Sequence, residues 1–162
     1  MASNFPPFVA SDIAPAVVMS FTPDTDATFK TGGFVVYDPT DATIDGIGSD
    51  PAAILGIALA DVAVGVIAAG CYADGKVPVL CLRPSTVIGM ASATTPAEAH
   101  VLVAGGGYGM VVSATSGYWL VDISETTAKN LSVVRVDIPN GVFYVQFHGD
   151  HLQLESAAGA LT

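Results

Sequence analysis

LSVVRVDIPNGVFYVQFH, at residues 131–148, is the segment that sets the fold class of this chain. Apolar side chains alternate with polar ones on both sides of a Pro139-Asn140-Gly141 turn. One face carries Val134, Val136 and Ile138 in the first half, and Phe143, Val145 and Phe147 in the second. Alternation with a period of two around an Asn-Gly turn predicts an antiparallel β-hairpin.

Short β-prone runs, separated by turn residues, precede this hairpin. Strands are predicted at 28–38, 54–59, 76–82, 87–90, 100–103, 110–113 and 118–123, with Gly32-Gly33 as a bend and Pro78 confining its strand to an edge or bulge. Residues 94–98 predict a loop or one helical turn with Thr95 as its N-cap, and residues 61–72 fit either a strand or a helix. Strands at this spacing predict a mostly β, single-domain antiparallel β-barrel or β-sandwich, β-tulip-like, with at most one or two short helices.

The first 27 residues differ from the rest by their prolines, which are Pro6, Pro7, Pro15 and Pro23. Proline fixes φ and removes a backbone donor, so we expect an extended N-terminal arm at 1–27 ahead of a β domain at 28–162. Residues 16–21 (AVVMSF) could pair within it as an edge strand. The arm would lie on a neighbouring subunit, or it is a loosely ordered terminus.

The composition favours assembly over nucleic-acid binding. Charged residues make up only 12% of the chain and hydrophobic residues 51%, so burying this surface desolvates little charge. Fifteen acids against five bases give a net charge of −10. The bases are scattered, at Lys30, Lys76, Arg83, Lys129 and Arg135. Because binding to phosphates depends on clustered Lys and Arg, we expect no direct contact with nucleic acid or with anionic lipid.

The apolar run at 52–73 is the one segment that resembles a membrane span. Asp61 would lie at its centre, where a carboxylate costs roughly 2.5–3.5 kcal/mol, so buried strands, or a strand and a short helix, are expected instead. The N-terminus shows no signal-peptide pattern, which predicts synthesis in a reducing cytoplasm. Cys71 and Cys81 are accordingly expected as reduced, buried thiols rather than a disulfide.

Glycine-rich and nucleophile motifs do not support an enzyme. In AGGGYG, residues 104–109, the third glycine of a dinucleotide fingerprint would fall on Met110, and the residues that follow are β-prone rather than helical. A flexible or bulged loop is therefore predicted there. No G-x-S-x-G elbow occurs. We expect no catalytic residues and no cofactor.

Two polar clusters were considered as metal sites. In His148-Gly149-Asp150-His151 the two imidazoles would face opposite sides of a strand unless Gly149 turns the chain, so solvated polar residues are expected. The loop acids Asp38, Asp41, Asp45 and Asp50 lack the spacing of a calcium loop and are expected to stabilise turns. No metal site is predicted.

Exposed aromatic and apolar residues are the candidates for an interface. Tyr118 and Trp119 are adjacent on a predicted strand, so one ring fills the core and the other reaches an interface, or both lie in the core. The full candidate set is Phe5, Phe8, Val17, Val18, Met19, Phe21, Tyr118 and Trp119.

The order of these segments resembles a known family. A proline-rich arm, GFVVYD at 33–38, a polar loop, ILGIA at 54–58, KVPV at 76–79 and the final hairpin are similar to the capsid decoration (cement, or head-stabilising) proteins of tailed bacteriophages. The resemblance implies a non-enzymatic virion protein, made in the host cytoplasm, that binds the outside of the capsid. It further implies a homo-oligomer, a trimer being favoured, that bridges and stabilises major capsid protein subunits.

Two other functions fit the same residues. A different virion component, such as a tail-tube, head–tail joining or fibre protein, would also use β-sheets for assembly. A small-molecule or glycan-binding β module would use the aromatic pair and the glycine-rich loop.

Overall fold

The computed structural model describes residues 5–12, 16–67, 74–103, 106–125 and 127–154. Within these ranges the chain forms thirteen strands and two single-turn 3-10 helices. The strands are β1 Phe8–Ser11, β2 Val17–Pro23, β3 Phe34–Asp38, β4 Thr43–Gly46, β5 Gly56–Ala58, β6 Val62–Ala63, β7 Val66–Ile67, β8 Val77–Cys81, β9 Val87–Ser92, β10 Gly109–Val112, β11 Trp119–Asp122, β12 Leu131–Asp137 and β13 Val142–Phe147. The helices are Glu98–His100 and Gly149–His151. Strand accounts for 46% of the structure and helix for 4%, which confirms the mostly β prediction.

Five strands close into a barrel in the order β2-β4-β3-β5-β8. All neighbours are antiparallel except β2 and β4, which run parallel. Alternate residues of β8, including Val79 and Cys81, point into the barrel and pack with Phe21 and Ile44. Closure pairs both edges of each strand, which leaves no open sheet edge in this part of the chain. The predicted barrel is confirmed.

A second sheet packs against the outside of this barrel. Its strand order is β10-β11-β9-β13-β12. Strand β1 also pairs with β9, along the part of that edge that β11 does not cover. Phe34 and Val35 are neighbours on β3 and point in opposite directions, so Val35 fills the barrel while Phe34 faces the sheet. The Phe34 ring meets Trp119 at 5.8 Å and Phe147 at 5.3 Å between ring centroids. The main core therefore lies between barrel and sheet.

The predicted hairpin is confirmed as β12 and β13, and so is the inward face of β13 with Phe143, Val145 and Phe147. The inward face of β12 differs from the expected one. Val133 pairs with Val145 and Arg135 with Tyr144, which leaves Val134 as an extra residue in a β-bulge. The bulge shifts the alternation. Leu131 and Val133 are buried, Val136 is partly buried against the same core, and Val134 and Ile138 do not join it. Asn140 hydrogen-bonds Asp137 in the turn, where Gly141 adopts a φ of 69°.

The N-terminal segment is part of the fold, which corrects the predicted arm at 1–27. Strand β1 pairs with β9, and β2 pairs with both β4 and β8. The hydroxyl of Ser85 and the hydroxyl of Thr86 each donate to the Asp12 carboxylate, at 2.7 and 2.6 Å. Ala27 and Phe29, on either side of the expected boundary, lie in the same barrel core. Residues 1–4 and 13–15 lie outside the described residues.

Smaller departures from prediction have local causes. Pro78 lies in β8, which pairs on both sides, so its expected place on an edge or bulge is wrong. Its carbonyl accepts the Leu59 amide at 2.9 Å, and because proline has no amide to return that bond, the pairing with β5 ends at Val79. The strand expected at 100–103 is wrong: His100 ends a 3-10 helix whose N-cap is Ala97, not Thr95. The ambiguous 61–72 segment forms β6 and β7 as far as residue 67, and the remainder lies outside the described residues.

None of the helices in the described ranges is long and apolar enough to cross a membrane.

Candidate functional site

A row of apolar side chains crosses the outer face of the barrel. Alternation along β8 turns Leu80 outward between the inward Val79 and Cys81. Val18 of β2 and Ile57 of β5 are the direct partners of Leu80 on its two sides. Because directly paired residues share a face of the sheet, the three lie side by side. Val18 is 52% exposed at one end of the row, and Ile57 is buried at the other.

The segment leading into β1 provides the opposite wall of a cleft beside this row. A cavity of about 340 Å³ lies between the two walls. Its lining is Pro6, Pro7, Phe8, Val9, Thr31, Gly32, Ile57, Leu59 and Leu80. Phe8, Val9 and Leu59 are each 37–42% exposed. We call Phe8, Val9, Val18, Leu59 and Leu80 the apolar patch.

Among the described residues no charged side chain lines the cavity, and one carboxylate is hydrogen-bonded to its rim. The backbone amide and the hydroxyl of Thr31 both donate to Asp61 Oδ1, at 2.7 and 2.8 Å. These two bonds, the amide first, lower the pKa of the Asp61 carboxyl from its ordinary value. The carboxylate thereby holds in place the turn that carries Thr31 and Gly32.

Aromatic rings extend this surface from the barrel onto the sheet. Phe8 lies 5.8 Å from Phe5 and meets Tyr144 edge-on at 6.5 Å, measured between ring centroids. The Arg135 guanidinium sits 3.9 Å from the centre of the Tyr144 ring, a cation–π contact. The surface therefore changes from apolar to cationic across the width of three side chains.

The structure divides the predicted interface residues between surface and core. Phe5, Phe8, Val18 and Met19 lie at or near the surface, and Tyr118 is half-buried. Phe21 and Trp119 are only 8% and 6% exposed and belong to the two cores, so predicting them as interface residues is wrong. Val17 likewise packs against the barrel core. The expectation that one ring of the Tyr118-Trp119 pair fills the core is confirmed.

Val9, Leu59 and Leu80 are patch residues that sequence reasoning missed. Leu59 and Leu80 were each assigned to buried strands as part of a continuous apolar run. The alternation of β8 carried the missing signal, since inward Val79 and Cys81 require Leu80 to point outward. The exposure of Leu59 had no such signal, because it depends on where β5 ends.

The other predicted features have structural explanations. Gly107 has a φ of 112° and leads into β10 rather than into a helix, as expected for a loop. The Asp38 carboxylate accepts the amide of Thr40 two residues on, as expected for a turn-forming acid. Asp45 lies in β4 instead, and Asp50 accepts the amide of Met110 in β10, sixty residues away. The cluster His148, Asp150 and His151 is drawn together by the turn after β13.

The thiol of Cys81 is free and lies inside the barrel. Burial raises its pKa, which keeps it protonated and unreactive. Cys71 lies outside the described residues.

No protein-family model, curated protein or solved structure matches this chain.

Proposed function

We propose that this chain is a capsid decoration protein that docks its apolar patch on major capsid protein subunits. The observation that carries the proposal is the uncharged cleft beside Leu80, bordered by exposed Phe8, Val9, Val18 and Leu59. Contiguous exposed apolar surface of this kind marks interaction sites in folded proteins. The resemblance in segment order adds the identity of the partner.

The physical chemistry of the surface suits permanent docking. Each apolar Å² removed from water contributes roughly 25 cal/mol, and the cleft has no charge to desolvate. The cavity of about 340 Å³ offers a pocket for an apolar or aromatic side chain, the kind of anchor that dominates binding energy at interfaces. The net charge of −10 disfavours contact with packaged nucleic acid and favours docking from outside.

The proposal includes assembly as a homotrimer that bridges neighbouring capsid subunits. Its support is the family resemblance together with the low charge of the surface. Size determination in solution and on particles would distinguish this from a tail component, for which stacked hexameric rings are expected.

Binding to empty capsids provides the test. Where a major capsid protein gene lies beside the gene of this chain, the capsids would be assembled from its product, and bound protein measured by co-sedimentation. Val18→Glu and Leu59→Glu place a charge in the patch, and each is expected to weaken binding at least tenfold. Val66→Glu and Leu102→Glu are matched controls, because these residues are 68% and 70% exposed and lie outside the patch.

Equal binding by the patch variants and the controls would exclude docking through this surface. No binding by the unmodified chain would exclude the decoration function itself. Electron microscopy of decorated particles is expected to show added density on the outer surface.

The cavity also gives some support to a small-molecule-binding module. Its volume falls at the lower end of the usual range of about 300–1,000 Å³ for ligand sites. Of the described residues that line it, Thr31 alone has a polar side chain, which favours an apolar ligand over a glycan. A thermal-shift screen that raises Tm for the parent but not for Leu59→Glu would favour this alternative.

A further inference from the structure

The turn after β13 gathers two imidazoles and a carboxylate. The 3-10 helix Gly149–His151 begins two residues after the strand ends, so His151 does not lie on the opposite face from His148 as it would on a continuing strand. One ligand atom each from His148, Asp150 and His151 lies within 4.8 Å of the other two. His151 Nε2 is 4.0 Å from Asp150 Oδ1. The geometric condition for a shared ion is therefore met.

The second nitrogen of each imidazole is already engaged. His151 Nδ1 lies 3.2 Å from the Ala52 carbonyl oxygen, and His148 Nε2 lies 2.8 Å from Ser132 Oγ. Histidines that bind metals normally donate their other N–H to a carbonyl or a similar acceptor, which fixes the tautomer and the ring orientation. With Nδ1–H donated to Ala52, Nε2 of His151 keeps its lone pair on the side of Asp150.

A buried asparagine lies beside the cluster and holds His148. Asn130 is 1% exposed, and its backbone carbonyl oxygen accepts the His148 amide at 2.9 Å. Its Nδ2 lies 3.4 Å from His151 Nδ1 without bonding it, because both nitrogens carry hydrogen. Its Nδ2 also donates to the Pro51 carbonyl at 2.9 Å. Asn130 Oδ1 is buried and has no hydrogen-bond partner among the described residues. An unsatisfied buried acceptor beside the cluster suits a water held by an ion.

We propose that His148, Asp150 and His151 form a binding site for Zn²⁺, with water completing the coordination. Two imidazoles and one carboxylate suit zinc, whereas Mg²⁺ and Ca²⁺ prefer all-oxygen sites. Ligand atoms around tetrahedral zinc lie about 3.3 Å apart, given bonds of roughly 2.0–2.1 Å, so the group must contract on binding. The Asp150 side chain is 80% exposed and can move without disturbing the core.

The ion would stiffen the turn through which the sheet contacts the barrel. The His151 carbonyl accepts the Ile54 amide at 2.7 Å, and Ile54 pairs with Leu152 in a parallel bridge. Ile54 immediately precedes the barrel residues Leu55 and Gly56. An ion bound by the folded chain stabilises it by mass action, so zinc should strengthen this junction and raise Tm.

Zinc titration of the full, chelator-stripped chain tests the site. Calorimetry is expected to show one Zn²⁺ per chain, and a hundredfold excess over Kd should raise Tm by about 5–10 °C. Mg²⁺ and Ca²⁺ should produce neither signal. Asp150→Asn and His148→Gln should each weaken zinc binding at least tenfold, while Asp41→Asn, an exposed loop acid elsewhere, should leave it unchanged.

Asp150→Asn preserves shape at an exposed position, so it decides the matter even if His148→Gln fails to fold. Absence of zinc binding at millimolar concentration would overturn the site. So would parent-like binding by Asp150→Asn together with a parent-like zinc-induced rise in Tm.

Discussion

The ring of Phe8 lies on Gly89, in the space that a side chain at position 89 would occupy. The two residues are direct partners in the antiparallel pairing of β1 with β9. Glycine weakens a strand interior, and one persists where another group approaches closely. Here Gly89 allows the Phe8 ring to pack directly on β9, and this packing helps to hold the N-terminal segment on the sheet of its own chain.

Gly89→Ala should loosen β1 without opening the barrel. The added Cβ meets the Phe8 ring, which must swing outward and give up its contact with Tyr144. We expect a loss of about 1 kcal/mol and roughly fivefold faster hydrogen exchange of the β1 amides. Gly48→Ala is the control, because nothing lies within 4 Å of a Cβ there. Unchanged exchange in β1 would show that the ring does not secure the strand.

Gly56→Ala should destabilise the whole domain. A Cβ at this position meets the Leu80 carbonyl oxygen and Val79 Cγ1, and β5 is paired to β8 at that point, so the backbone cannot retreat without breaking the barrel. We expect a decrease of about 2–3 kcal/mol in the free energy of unfolding, measured by urea denaturation. With Gly48→Ala the change should stay within roughly 0.5 kcal/mol. Similar values for the two variants would mean that the barrel tolerates strand separation at this point.

The final hairpin was predictable because its signal is local. Alternation and the Asn140-Gly141 turn lie within eighteen residues, at 131–148. The bulge at Val134 was not predictable, because an extra residue in one strand is defined by its pairing with the partner strand and not by its neighbours in the sequence. The inward face of β12 was therefore assigned wrongly before the bulge, where Leu131 and Val133 point inward, whereas Val136 beyond it lies on the predicted face.

The predicted N-terminal arm shows more clearly what the sequence could not predict. Prolines correctly indicated extended backbone, but an extended segment does not say which strand it joins. Val18 pairs with Leu80, more than sixty residues away, and no local pattern encodes that register. The patch as a whole was not predictable for the same reason, because β1, β2, β8 and the residue after β5 come together to form it, although Phe8 and Val18 were predicted as interface residues.

The sequence did not predict that His148, Asp150 and His151 come together. They can share an ion only if the chain turns after His148, and no local pattern showed whether it does. The turn is set by non-local bonds, from Ile54 to the His151 carbonyl and from Gln153 to the Ile54 carbonyl.

Asp61→Ala should lower stability in a pH-dependent manner. Hydrogen bonds from Thr31 lower the pKa of the folded carboxyl below its ordinary value near 3.8, so the ionised form stabilises the fold above that value. This contribution is lost as pH falls through the lowered folded pKa. We expect a deficit of roughly 1 kcal/mol or less at pH 7, given the exposure of the site, which disappears in strong acid.

Urea unfolding at a series of pH values from 7 down to about 2.5 would measure this deficit. Asp41→Ala, in an exposed loop, is the control. A deficit that stays constant across the series would show that the carboxylate charge contributes nothing.

Cys81 should react only when the barrel opens. Its thiol is buried, and burial raises its pKa, so thiolate is scarce in the folded state. In a Cys71→Ser background at pH 8, modification by an aromatic disulfide reagent should be at least a hundredfold slower than in denaturant. Its rate should rise with urea in parallel with unfolding. Rapid modification of the folded chain would indicate that this wall of the barrel is open.

Two truncations should separate the roles of the N-terminal strands. Deleting residues 2–12 removes β1 and, with it, Phe8 and Val9 of the apolar patch, but leaves the barrel strands intact. That chain should unfold cooperatively at a lower Tm and bind capsids at least tenfold more weakly. Deleting residues 2–27 also removes β2, which pairs with both β4 and β8.

Without β2 the barrel cannot close, and Val79 and Cys81 lose the strand that covers them on one side. The longer truncation should therefore lack a cooperative transition in urea and lose its near-ultraviolet circular dichroism. Recovery of a folded domain from residues 28–162 would instead restore the separate arm that the prolines suggested. Unimpaired binding by the chain lacking only residues 2–12 would confine docking to the barrel residues Val18, Leu59 and Leu80.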